Sequence, residues 1–79
     1  MIEQILESYP EENFTTADGF DSAIIGVEEN SMRVIYSVSK ILNILEEEMS
    51  SEEALEYYYY NIEGAYVGEK TPIYCNDIF

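Results

Sequence analysis

Residues 22–45 read SAIIGVEENSMRVIYSVSKILNIL, and the spacing of their apolar positions changes partway along. Residues 22–28 are short, apolar and β-favouring, and residues 32–38 are similar. Glu29-Asn30-Ser31 between them has the length of a hairpin loop, which predicts an antiparallel hairpin. In the second run Met32, Val34, Tyr36 and Val38 share one face, and Arg33, Ile35 and Ser37 the other. The first set is the expected core face. From Ser39 the period becomes helical, with Ile41, Leu42, Ile44, Leu45 and Met49 in one apolar stripe.

Residues 2–8 place Ile2, Ile5 and Leu6 on one side of a short amphipathic helix that Pro10 ends. Residues 9–20 read as a connecting loop, with Asp18-Gly19 as a turn and Phe14 and Phe20 pinning it to the core. Ser50-Ser51-Glu52-Glu53 matches a capping box, in which Ser50 and Glu53 each satisfy the other's backbone N–H. The helix it opens is expected to turn Ala54, Leu55, Tyr58, Ile62 and Ala65 inward and to stop at Gly64. The tail, Tyr66-Val67 and then residues 71–75, reads as extended, with Pro72 marking an edge strand or a strand start. The order α-β-β-α-α-β predicts a single small α+β domain over residues 1–79, its antiparallel hairpin packed against helices.

Seventeen Asp and Glu stand against three Lys and Arg, with no histidine, giving a formal charge of -14 on 79 residues. Self-repulsion at this density opposes compaction. The chain is nevertheless not built like a disordered one, since 47% of it is hydrophobic and it carries eight tyrosines. Anionic bilayers and nucleic acids repel such a chain, so neither direct DNA or RNA binding nor membrane binding is expected. No apolar run approaches the ~20 residues of a membrane span, and Met1 to Ser8 lacks the basic start and long apolar core of a signal peptide. Cys75 is the sole cysteine, which excludes an internal disulfide and fits a reducing cytoplasm.

Catalytic chemistry has little to stand on. Without histidine there is no Ser-His-Asp or Cys-His arrangement, and Cys75 lacks a base and is expected as an inert, partly buried thiol. Paired carboxylates are plentiful, but they sit in runs, which are ordinarily solvated faces. Residues 64–68 have the wrong spacing for a phosphate loop and no following Lys-Ser or Lys-Thr. One Cys and no His disfavour zinc and copper, and residues 18–21 lack the alternating acids of a calcium loop. No enzyme, cofactor or metal site is expected.

Seven carboxylates fall between Glu46 and Glu63. Glu46, Glu47 and Glu48 lie near the expected end of the Ser39 helix, where the dipole disfavours anions by about 0.3–1 kcal/mol each. Glu52 and Glu53 begin the next helix, where the dipole favours them. Solubility explains the second pair well and the first three poorly. The run Tyr57 to Tyr60 turns through more than a full circle on a helix, so not all four rings can be buried. Tyr58 is expected inward, and Tyr57 or Tyr60 exposed beside Glu53, Glu56 or Glu63. Carboxylates interleaved with tyrosines suit an Arg- and Lys-rich partner. The candidate partner-binding set is therefore Glu46, Glu47, Glu48, Glu52, Glu53, Glu56, Tyr57, Tyr60 and Glu63.

The stretch from Glu52 to Ile73, with its motif NIEGAYVGEKTPI at residues 61–73, resembles small proteins of phage and prophage genomes, as does FDSAIIG at residues 20–26. The resemblance covers about half of the chain and carries over no catalytic or binding residue. Size and charge are similar to those of phage counter-defence proteins that mimic nucleic acid, among them anti-restriction and some anti-CRISPR proteins. These resemblances imply a non-enzymatic inhibitor in the cytoplasm of a bacterial host, set against the basic surface of a nucleic-acid-handling protein. Two rivals stand beside it. One is an acidic structural or regulatory protein, or a homodimer, whose charge serves solubility. The other is a carboxylate-based hydrolase or metal-binding protein.

Overall fold

The computed structural model describes residues 1–78 as an α+β fold, with a mixed three-stranded sheet and helices. Helix α1 spans Ile2–Ser8 and buries Ile5, while Leu6 is exposed rather than inward. Two turns of helix present a narrow stripe, and Ile5 with the half-buried Ile2 fills it. The loop that follows is tied down twice. Phe14 and Phe20 pack against the core as expected, and the Ala17 N–H donates to the Tyr36 hydroxyl at 2.7 Å. Gly19 takes a φ of +89°, which the tight turn after Asp18 demands and a β-carbon would resist.

A short 3₁₀ turn, Asp21–Ala23, replaces the start of the expected first strand. Strand β1 is Ile24–Glu28 and β2 is Arg33–Ser37, paired antiparallel. The register passes from Ile24↔Tyr36 to Gly26↔Ile35, so Ile25 is an extra residue that bulges outward. The hairpin connection runs through Met32, one residue further than the sequence suggests. The Glu28 carboxylate gathers the Asn30 N–H, the Ser31 N–H and the Ser31 hydroxyl at 2.7–2.9 Å. These bonds, led by the Ser31 hydroxyl, hold its carboxyl below the usual glutamate value. Met32 closes the turn at φ 54° and so leaves the core face to Val34 and Tyr36, both fully buried.

Strand passes into helix with no linker. Ser37, the last residue of β2, is the N-cap of α2 (Val38–Leu45), accepting from the Lys40 N–H at 3.2 Å. Val38 is therefore the first helical residue, not the end of a strand, although it remains buried. The helix buries Ile41 and Leu45, with Leu42, Ile44 and Met49 packed at the margin of the core. It ends at Leu45, and Glu46 to Glu48 form the turn beyond it.

Helix α3 spans Ser51–Tyr57 behind a complete capping box. The Glu53 N–H donates to Ser50 Oγ and the Ser50 N–H to Glu53 Oε1, both at 3.2 Å. From Tyr58 to Glu63 the chain continues as a π-helix, a wider winding than the expected α-helix. Ala54, Tyr58 and Ile62 point inward at an exact spacing of four, and Leu55 and Ala65 fall outside that ridge and are exposed. The helix does stop at Gly64, but not through a left-handed glycine, since its φ is -76°. What glycine supplies there is room: a β-carbon would stand 3.0 Å from the Tyr59 carbonyl oxygen.

Strand β3, Ile73–Cys75, follows the buried Pro72 and pairs in parallel with β2, forming one edge of the sheet. Tyr66 and Val67 are exposed and belong to no strand. Cys75 is exposed, not partly buried, because a three-residue edge strand has too little cover to hide it. Tyr74 stacks on Tyr36 at 5.8 Å and meets Tyr58 edge-on at 5.9 Å, which joins the sheet to the π-helix.

Candidate functional site

The nine candidate residues lie on one continuous stretch and all are exposed. Glu46, Glu47 and Glu48 occupy the turn after α2, against the negative end of that helix. Glu52 and Glu53 fill the first turn of α3, Glu56 and Tyr57 its last, and Tyr60 and Glu63 the π-helix. The unfavourable placing of Glu46 has a local offset, because its Oε1 accepts from the Ser51 hydroxyl at 2.7 Å. Glu53 is engaged in the capping box. Glu47, Glu48, Glu52 and Glu56 make no side-chain hydrogen bond or ion pair among the described residues.

The fold gathers only part of this set. Glu53, Glu56, Tyr57 and Tyr60 line a shallow groove of about 330 Å³ with Met49 and Asn61. Tyr60 is 83% exposed and Tyr57 43%, so both rings offer apolar area and a hydroxyl to solvent. Glu63 instead faces a second cleft, of about 400 Å³, between β3 and the π-helix. Arg33, Tyr58, Tyr59 and Tyr74 share that cleft with it. Burial, reinforced by the Glu63 charge, pushes the Tyr58 hydroxyl up to about 12. Burial also raises Tyr74. Both phenols stay protonated in neutral water and can donate.

Sequence reasoning missed Arg33 as a lining residue and missed Asp77 altogether. The Asp77 carboxylate accepts from the Ser37 hydroxyl at 2.5 Å and from the Ser39 N–H at 2.8 Å, completing the cap of α2. Those bonds, the Ser37 hydroxyl first, hold its carboxyl below the usual aspartate value. Lys70 is engaged too, donating to Glu12 at 2.9 Å with its ammonium 5.8 Å from the Phe14 ring centre. Among the described residues no three acidic, Cys or His side chains converge on a metal position, and no helix is long and apolar enough to cross a membrane. No protein-family model, curated protein or solved structure matches the chain.

Proposed function

We propose that the chain is a non-enzymatic binding protein whose acidic, tyrosine-bearing face occupies the basic surface of a nucleic-acid-handling protein and blocks it. The concrete form is a phage inhibitor of host defence, of anti-CRISPR or anti-restriction type, acting in the bacterial cytoplasm. One arrangement supports the reading: Tyr57 and Tyr60 stand exposed around a groove they share with Glu53 and Glu56, on a chain of charge -14. An arginine entering that groove meets ring faces and carboxylates together, a pairing that rewards a guanidinium over other groups. The free carboxylates of Glu47, Glu48 and Glu52 lie in the turn before α3 and in its first turn, and add to the field that steers a cationic partner inward. The reading in which charge serves only solubility draws on Glu46 and Glu53, whose carboxylates serve local hydrogen bonds.

The test is capture from a bacterial lysate at low salt on the immobilised chain, run beside an E47Q/E48Q/E56Q/Y60A variant. Nucleic-acid-handling proteins should be retained by the first, displaced by duplex DNA and lost from the second. A captured set that the variant retains equally, or that DNA does not displace, overturns the proposal.

A further inference from the structure

The cleft between β3 and the π-helix carries charges of both signs that do not meet. Arg33 and Glu63 both line it, yet neither joins an ion pair among the described residues. For Arg33 this is unexpected in a chain with seventeen carboxylates. Its Nε–H is also buried without a hydrogen-bond partner among the described residues, a costly state for a charged donor. The remaining walls include Tyr58, Tyr59 and Tyr74. The volume, about 400 Å³, falls in the range of small-molecule sites, ~300–1,000 Å³.

The chemistry of an occupant follows from these groups. A net anion is drawn by Arg33 but repelled by Glu63 and by the -14 charge of the chain. A net cation suits Glu63 and the rings but leaves the guanidinium only the weak through-space influence of its cross-strand neighbour Glu28, with which it forms no ion pair. A molecule with one carboxylate, one ammonium and an apolar body satisfies both and feels little of the net field. We infer that the cleft binds a small zwitterion of this class, an α-amino acid with an apolar or aromatic side chain. Its carboxylate takes the planar fork of Arg33. Its ammonium turns to Glu63, and its side chain lies against the tyrosine rings. Only Glu63 is shared with the acidic face, and small ligands added without a protein partner test the cleft by itself.

The experiment is an NMR titration of the isotopically labelled full chain with phenylalanine, phenylalaninamide and 3-phenylpropionate. Phenylalanine should give saturable shifts at Arg33, Glu63 and residues 73–76. The amide lacks the carboxylate and the propionate lacks the ammonium, and each should bind at least about tenfold more weakly. Raising the salt should leave the phenylalanine affinity nearly unchanged, since a zwitterion carries no net charge. Arg33→Gln should weaken phenylalanine about tenfold or more, with unchanged amide shifts elsewhere reporting an intact fold. Should that variant fail to fold, the comparison of the three ligands on the unmodified chain decides. Equal binding of phenylalanine and either analogue overturns the inference. So does the absence of saturable shifts with phenylalanine, leucine and methionine alike.

Discussion

Replacing Ser50 by Ala removes the acceptor of one 3.2 Å bond, from the Glu53 N–H, and leaves the reciprocal bond without its partner's constraint. N-cap losses of this kind cost about 0.5–2 kcal/mol, and the exposure of both residues places this one near the middle, about 1 kcal/mol. A single core of this size supplies only ~3–5 kcal/mol in all, so the loss is a large fraction of the whole. In a domain of this length about 1 kcal/mol corresponds to a fall of roughly 4–8 °C in Tm. Urea melts of the wild type, Ser50→Ala, Glu53→Ala and the double variant measure it. The two changes should couple, the pair costing less than the sum, because each side chain works through the other. Ser50→Asp keeps an acceptor at the cap and should recover most of the loss. An unchanged midpoint for Ser50→Ala, or strict additivity in the cycle, would mean that Ser50 and Glu53 do not cap α3 together.

Tyr36→Phe keeps the buried ring but strands the Ala17 N–H, and should cost about 1–3 kcal/mol in the same melts. Asp77→Asn tests the acid limb. The folded carboxyl of Asp77 lies below its ordinary 3.8, so its contribution is present above that value and lost as pH falls through the folded one. The stability gap between wild type and variant should therefore be constant near neutrality and close in melts taken below pH 3.8. Replacing Glu46, Glu47 and Glu48 together by Gln relieves a dipole conflict of about 0.3–1 kcal/mol per charge, so the variant should be more stable at low salt, less distinctly so at high salt. The same variant should associate more slowly with a basic partner, and a stabler protein that binds unchanged would mark the block as a solvated face.

The features legible in the sequence are those that local rules determine. The hairpin follows from two β-favouring runs and a short polar loop, and the capping box from residues three apart. Tyr58 inward, with at least one of Tyr57 and Tyr60 outward, follows from four consecutive rings on a helix, and both are exposed. Where the reading slipped, distant or competing contacts decide. Helix α2 starts at Val38, one residue before Ser39, behind a Ser37 cap whose hydroxyl is bonded by Asp77, 40 residues on. Met32 leaves the strand because Glu28 draws the turn tight. The π-winding after Tyr57 has no sequence signature, and the parallel pairing of a three-residue strand has almost none. Of the candidate site, the exposure of at least one of Tyr57 and Tyr60 was legible, whereas the parting of Glu63 from the groove those two rings share was not. Arg33 escaped notice because its cleft is assembled from the hairpin, the π-helix and the tail.

The parallel seat of β3 beside β2 has a kinetic consequence. The β1–β2 hairpin can zip from its own turn, in the microsecond range typical of such units. The β3 pairing must first close the whole loop of helices between Ser37 and Ile73, an entropic toll levied before any contact rewards it. Docking of the tail therefore comes late. Until it happens Tyr36 lacks its stacking partner, the first turn of α2 lacks the Asp77 carboxylate, and the cleft beside Arg33 has no far wall. Because all three contacts come from the tail, its undocking should open them together, and hydrogen exchange at the amides of Ser39 and Tyr74 should report a common opening rate.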